Sequence, residues 1–106
     1  MIINASAHGV SVRDAADLTR LHIETDLDRD RADGALRAAG LGRIDETGEG
    51  MLQTDVLRQH ALDQIPPGDV SGWETSWGRM LQYASSQGWT REEGDVVVAH
   101  VEPTRT

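Results

Sequence analysis

The chain has 106 residues, 18 of them Asp or Glu against ten basic residues that are all Arg, and a net charge of −8; this length supplies one domain's core without staples. Cysteine and lysine are absent, which excludes disulfides, thiolate nucleophiles, cysteine zinc sites and every chemistry that needs a lysine amine, from Schiff bases to the lysine of a phosphate-binding Gly-rich loop. No run approaches the roughly eighteen apolar residues of a membrane span, and Met1-Ile2-Ile3-Asn4-Ala5-Ser6 lacks the basic and apolar regions of a signal peptide, so the expectation is a soluble, cytoplasmic protein.

Met1-Ile2-Ile3 reads as a short first strand, with residues 4 to 9 a loose arm. From Ser11 onward, Val12, Ala15, Ala16, Thr19 and Ile23 recur at helical spacing with Arg13, Asp14, Asp17 and Arg20 elsewhere, which predicts a helix over about 12–22; Leu21-His22-Ile23 is also compatible with a short strand. Thr25-Asp26-Leu27-Asp28 predicts the start of a second helix, with Thr25 as cap and the Asp residues near the positive end of the macrodipole. Its stripe is Ala32, Ala35, Leu36 and Ala39, and Gly40 is its stop. Gly42-Arg43-Ile44 and Met51-Leu52-Gln53, joined by an acidic turn, predict a hairpin. Thr54 then caps a helix whose face carries Val56, Leu57, His60 and Ala61.

Ile65-Pro66-Pro67-Gly68-Asp69 is the strongest break, because two prolines remove two backbone donors and forbid helix continuation. Ser71-Gly72-Trp73-Glu74 has the form of a capping box and opens a helix with the best apolar stripe in the chain: Trp73, Trp77, Met80, Leu81 and Ala84, ended at Gly88. The last strand, about 95 to 102, alternates Val96, Val98 and His100 on one face with Val97, Ala99 and Val101 on the other. Apolar residues on both faces predict an interior strand closed by Pro103. The whole reads as one α+β domain of three to four helices with two hairpin-like β elements: residues 1–10 an arm or strand, 11–64 a helix-helix-hairpin-helix unit, 65–70 a connection and 71–106 a helix-turn-strand unit.

One pattern occurs twice. Leu36 to Gly40, then Leu41, runs through the acidic turn Asp45-Glu46-Thr47-Gly48-Glu49-Gly50 into Met51-Leu52. Met80 to Gly88, then Trp89, runs through Arg91-Glu92-Glu93-Gly94-Asp95 into Val96-Val97-Val98. Helix followed by ribbon is an interaction architecture more often than a catalytic signature.

Val12, Ala15 and Ala16 on a first helix, Leu36-Arg37-Ala38-Ala39-Gly40-Leu41 ending a second, and Gly42 to Leu52 as a wing together resemble the core of a winged helix-turn-helix over residues 11–53. That resemblance implies a transcription regulator with its second helix in a DNA major groove and Arg29, Arg31 and Arg37 as base or phosphate contacts. The charges oppose it: five acids and two arginines lie between Glu24 and Asp33, and Asp45, Glu46 and Glu49 make the wing acidic, a field that repels phosphate backbones. A winged-helix shape used for protein contact fits these charges better.

Asp26-x-Asp28-x-Asp30 has the alternation of a calcium loop, but Arg31 stands where the turn needs Gly and Arg37 where a bidentate Glu belongs, so a solvated helix start is the better account. The histidines His8, His22, His60 and His100 show no metal spacing, and no metal or cofactor is expected. His60 and His100 lie beside apolar stripes as boundary residues; in an enzyme they would be the acid-base candidates of a small cofactor-free lyase or isomerase, with Arg79 holding an anionic substrate. Nucleophile motifs are missing. Trp77 belongs to the core by spacing, while Trp73 and Trp89 flank their helix, and an exposed indole there would mark a partner surface. The sequence thus favours a non-catalytic acidic regulatory or adaptor module that binds another protein, with Trp73, Trp77 and Trp89 as contact candidates and a homodimer through the Trp73 to Ala84 helix as one form of that contact.

Overall fold

The computed structural model describes residues 1–19 and 21–103. Arg20, assigned from sequence to a helix, lies outside the described residues, as do residues 104–106. Seven strands and three α-helices form a mixed sheet and its cover among the described residues, a strand-rich architecture that replaces the three-to-four-helix domain with two hairpins expected from sequence. In chain order the strands are β1 (Ile2–Ser6), β2 (Gly9–Arg13), β3 (His22–Thr25), β4 (Gly42–Ile44), β5 (Gly50–Gln53), β6 (Thr90–Arg91) and β7 (Val96–Pro103); the helices are α1 (Arg29–Ala38), α2 (Thr54–Leu62) and α3 (Val70–Ser86).

The sheet order is β2-β1-β3-β7-β5-β4, with β6 also on β7. The last strand is therefore the hinge of the architecture. Its first half pairs antiparallel with β5 on one side and β6 on the other, and its second half pairs parallel with β3. Helix α1 packs against β4 at one end of this order and against β1 and β2 at the other, so the sheet curls. The registers put Ile3, Val12, Ile23, Leu52, Val97 and Ala99 on the inner side, where they join Leu36, Leu57, Trp73, Trp77 and Ala84 in one core. The alternation read along the last strand is what the sheet uses, with Val97 and Ala99 inward and His100 exposed.

The helix expected over 12–22 is absent, and the winged helix-turn-helix arrangement goes with it. Val10 and Val12 alternate with Ser11 and Arg13, and β2 is held by Ala5 opposite Val10 and Ile3 opposite Val12, a pairing that no local periodicity encodes. Asp14 then takes φ +51°, and Asp17 folds over the following turn by accepting from the N–H and hydroxyl of Thr19 at 3.0 and 2.6 Å, the Asp-centred turn that competes with helix. The short-strand alternative for Leu21-His22-Ile23 is the one realised, as β3. Residues 4 to 9 are likewise not loose, since Ile2–Ser6 forms β1.

Three caps differ from expectation. Asp28, not Thr25, caps α1, accepting from the Arg31 N–H at 2.9 Å; the buried Thr25 hydroxyl donates to the Ala5 carbonyl at 2.8 Å instead. Thr54 lies inside α2, and its hydroxyl donates to the Gly94 carbonyl at 2.8 Å, which staples the start of α2 to the chain entering β7. The capping box at Ser71 does not form: α3 begins at Val70 after a 3₁₀ turn over Pro67–Asp69, and Glu74 pairs with Arg58 of α2.

The repeat is real at the helix ends. In α1 the Leu41 N–H returns to the Leu36 carbonyl and that of Gly40 to Arg37; in α3 the Trp89 N–H returns to Ala84 and that of Gly88 to Ser85. Both are Schellman caps, and Gly40 and Gly88 supply the positive φ, +69° and +77°, that this turn requires. The two copies diverge at the next side chain. Leu41 is buried, whereas Trp89 is half exposed.

Candidate functional site

The three tryptophans separate into two roles. Trp73 and Trp77, one turn apart on α3, stack at 5.3 Å between ring centroids and are both buried; the Trp73 indole N–H donates to the Ala15 carbonyl at 2.7 Å. They are core residues, so the tryptophan part of the α3 stripe is consumed inside the domain together with Ala84, while Met80 and Leu81 are partly buried. Trp89 stays outside. Its ring lies edge-to-face on Tyr83, 5.8 Å between centroids at 77°, and the two are the exposed large hydrophobic residues of the described chain, at 48% and 58%.

This pair stands on rigid backbone. The Trp89 N–H is tied into the α3 cap by the Ala84 carbonyl at 2.8 Å, and its carbonyl accepts from the Val98 N–H of β7 at 2.7 Å. Tyr83 also borders a surface groove of about 550 Å³ that includes Leu18, Ser76, Arg79 and Met80. Leu18 and Met80 reach from this groove down to the core. Aromatic side chains with few rotatable bonds, fixed from below, lose little entropy when covered, which is why Trp and Tyr dominate contact hot spots.

The acid-base candidates do not come together. His60 lies on α2 in a shallow depression with Asp55, Arg58 and Asp63, Arg79 lies on α3 at the groove, and His100 lies on β7 with 72% of its side chain exposed. No hydrogen bond or ion pair joins any two of the three among the described residues. A different polar group does form, on the outer face of the sheet where β3 and β7 run in register. His22 stands opposite His100 and Glu24 opposite Glu102; His22 Nε2 is 3.3 Å from Glu24 and 3.8 Å from Glu102, His100 is 3.7 Å from Glu102, and Arg13 reaches Glu24 at 2.6 Å. Only a non-local strand pairing juxtaposes them, so the sequence carried no signal for it. No group of three or more His, Asp or Glu among the described residues is arranged to hold a metal ion.

The arginines proposed for DNA are spread around α1. Arg29 and Arg31 are two residues apart, hence on opposite sides of the helix, and Arg37 is bound to Asp33 through Nε at 2.8 Å. Asp33 also accepts from the Ile44 N–H at 2.8 Å. That backbone N–H, with Arg37 behind it, holds the Asp33 carboxyl below the usual carboxylate range. Asp45, in the turn between β4 and β5, is held low by the Thr47 hydroxyl and by the N–H groups of Glu49 and Thr47. The Asp26-x-Asp28-x-Asp30 run is a helix start in which Asp28 is spent as the cap.

No family model, curated protein or solved structure matches this chain. No helix among the described residues is long and apolar enough to cross a membrane.

Proposed function

We propose that this protein is a non-catalytic regulatory or adaptor module that works by contact with another protein. The reading rests on Tyr83 and Trp89, an exposed aromatic pair held on the α3 cap and on β7, beside a groove floored by Leu18 and Met80. The net charge of −8 selects a partner with positive charge around its apolar anchor and speeds their encounter. A second copy of an equally acidic chain suffers the repulsion that a basic partner avoids, and Trp73, Trp77 and Ala84 of the α3 stripe are buried, so the contact is with a different protein.

The test is site-specific photo-crosslinking in cells that make the native chain. A photoreactive residue at Trp89 is expected to give one discrete heteromeric adduct, lost on Tyr83→Ala, while the same residue at Arg29 gives none. Equal adducts from both positions, or an adduct of twice the chain's mass, would overturn the reading.

A further inference from the structure

The outer sheet face carries a second feature that contact through Trp89 leaves unused. In a chain with net charge −8, Arg37, Arg43 and Arg91 line one open cleft of about 680 Å³, in which Glu92 is the one acid among the described lining residues. The strand registers explain the convergence. Arg43 stands opposite Met51 on β5, Gln53 opposite Val96 on β7, and Val96 opposite Arg91 on β6, so these side chains leave the sheet on the same side. Arg37 arrives from the last turn of α1, whose end carbonyls are already taken by the Gly40 and Leu41 N–H groups.

Three guanidiniums face Glu92 in the cleft and Asp33 behind Arg37, a surplus of one positive charge, and like charges gathered this way favour an anion that joins them. The nearby acids already have partners: Asp33 is shared between the Ile44 N–H and the Nε of Arg37, and Asp45 accepts from Thr47 and Glu49. Two of the arginines are held by part of their donor set only. Arg37 is anchored through Nε, and Arg91 through Nη1 to the Gly88 and Thr90 carbonyls, which leaves their other nitrogens for a ligand. Arg43 makes no hydrogen bond or ion pair among the described residues.

We propose that this cleft binds the phosphate monoester of a small organic molecule. A monoester is a dianion above about pH 6 and is drawn to the surplus positive charge, and guanidinium forks fit its oxygens bidentately. The Met51 and Val96 side chains give its organic part an apolar floor, and the volume lies within the several hundred Å³ of small-ligand sites. Nucleic acid is the wrong occupant. Its extended charge meets the whole acidic surface, whereas a small ligand in the cleft is screened from it beyond about 8 Å.

The test is titration of the intact protein with phenyl phosphate, inorganic phosphate and phenol, followed by calorimetry and by the arginine Nε–H resonances. Phenyl phosphate is expected to saturate below about 10 mM, to bind more tightly than inorganic phosphate, to shift Arg37, Arg43 and Arg91, and to strengthen as pH rises through about 6; phenol is expected not to bind. Arg43→Gln and Arg91→Gln should each weaken it about tenfold, with Arg29→Gln unchanged. Arg43 makes no hydrogen bond or ion pair among the described residues, so its variant is expected to keep the fold, which circular dichroism checks. Absence of saturation, equal weakening by Arg29→Gln, or a short DNA duplex binding as tightly as phenyl phosphate would overturn the proposal.

Discussion

Asp33 and Arg37, one turn apart on α1, are joined at 2.8 Å through the guanidinium Nε, and the second oxygen of the same carboxylate takes the Ile44 N–H of the sheet's edge strand β4. One side chain thereby fixes an arginine, blunts a strand edge and docks a helix on the sheet.

Because its carboxyl is held below the ordinary range in the folded protein, Asp33 contributes stability that is fully present above the unfolded value near pH 4 and is lost as pH falls through the lowered folded value. Asp33→Asn is expected to cost about 1 to 2 kcal/mol at pH 7, and the gap between variant and parent should close below about pH 4. Urea denaturation at several pH values measures both. A gap that stays constant down to pH 2 would mean that the charge on Asp33 is irrelevant.

Gly42 and Gly34 should respond to alanine in opposite directions. A Cβ on Gly42 would lie 2.0 Å from the Met51 carbonyl oxygen at φ +156°, backbone against backbone, while Gly34 in α1 has nothing within 4 Å. Gly42→Ala is expected to lose about 3 kcal/mol or more, as overpacking with strain does, and Gly34→Ala to gain roughly 0.5 to 1 kcal/mol from helix propensity. Thermal melts of the two variants decide it.

Trp73→Phe removes the donor to the buried Ala15 carbonyl and is expected to cost about 1 to 3 kcal/mol. Trp89→Phe should cost well under 1 kcal/mol, as exposed positions do. Equal losses in chemical denaturation would contradict the division between a core and an outer indole.

The same division predicts the fluorescence. Emission from the parent should contain a red, acrylamide-quenchable component that Trp89→Phe removes and Trp77→Phe retains, because only Trp89 is half exposed. Retention of the quenchable component in Trp89→Phe would relocate the solvent-facing indole.

Where structure is locally encoded, the sequence was legible. The Ala32 and Leu36 stripe, the Gly40 and Gly88 stops, the β4–β5 hairpin and the Trp73 to Ala84 stripe each depend on residues within one or two turns of one another. Val12 and Ala15 show the limit: their spacing suits a helix, yet Val12 is in a strand because Ile3 lies opposite it, a partner no local window contains. Thr25 and Thr54 failed as caps for the same reason, their hydroxyls being drawn to the distant Ala5 and Gly94 carbonyls. At the candidate site, the position of Trp89 just past a glycine stop hinted at its exposure. The company of Arg37, Arg43 and Arg91, like that of His22 and His100, depends on the register of β7 and could not be read from sequence.

β7 has a consequence for the making of the protein. The ribbon β1–β3 and the ribbon β4–β5 pair within the sheet only through it, so a nascent chain that has not yet released Val96 from the ribosome has the two linked by the packing of α1 and by no strand hydrogen bonds. The edges of β3 and β5 that it will join stay unpaired until that strand slides into place, which makes the interval before its emergence the period in which a chaperone has most to shield.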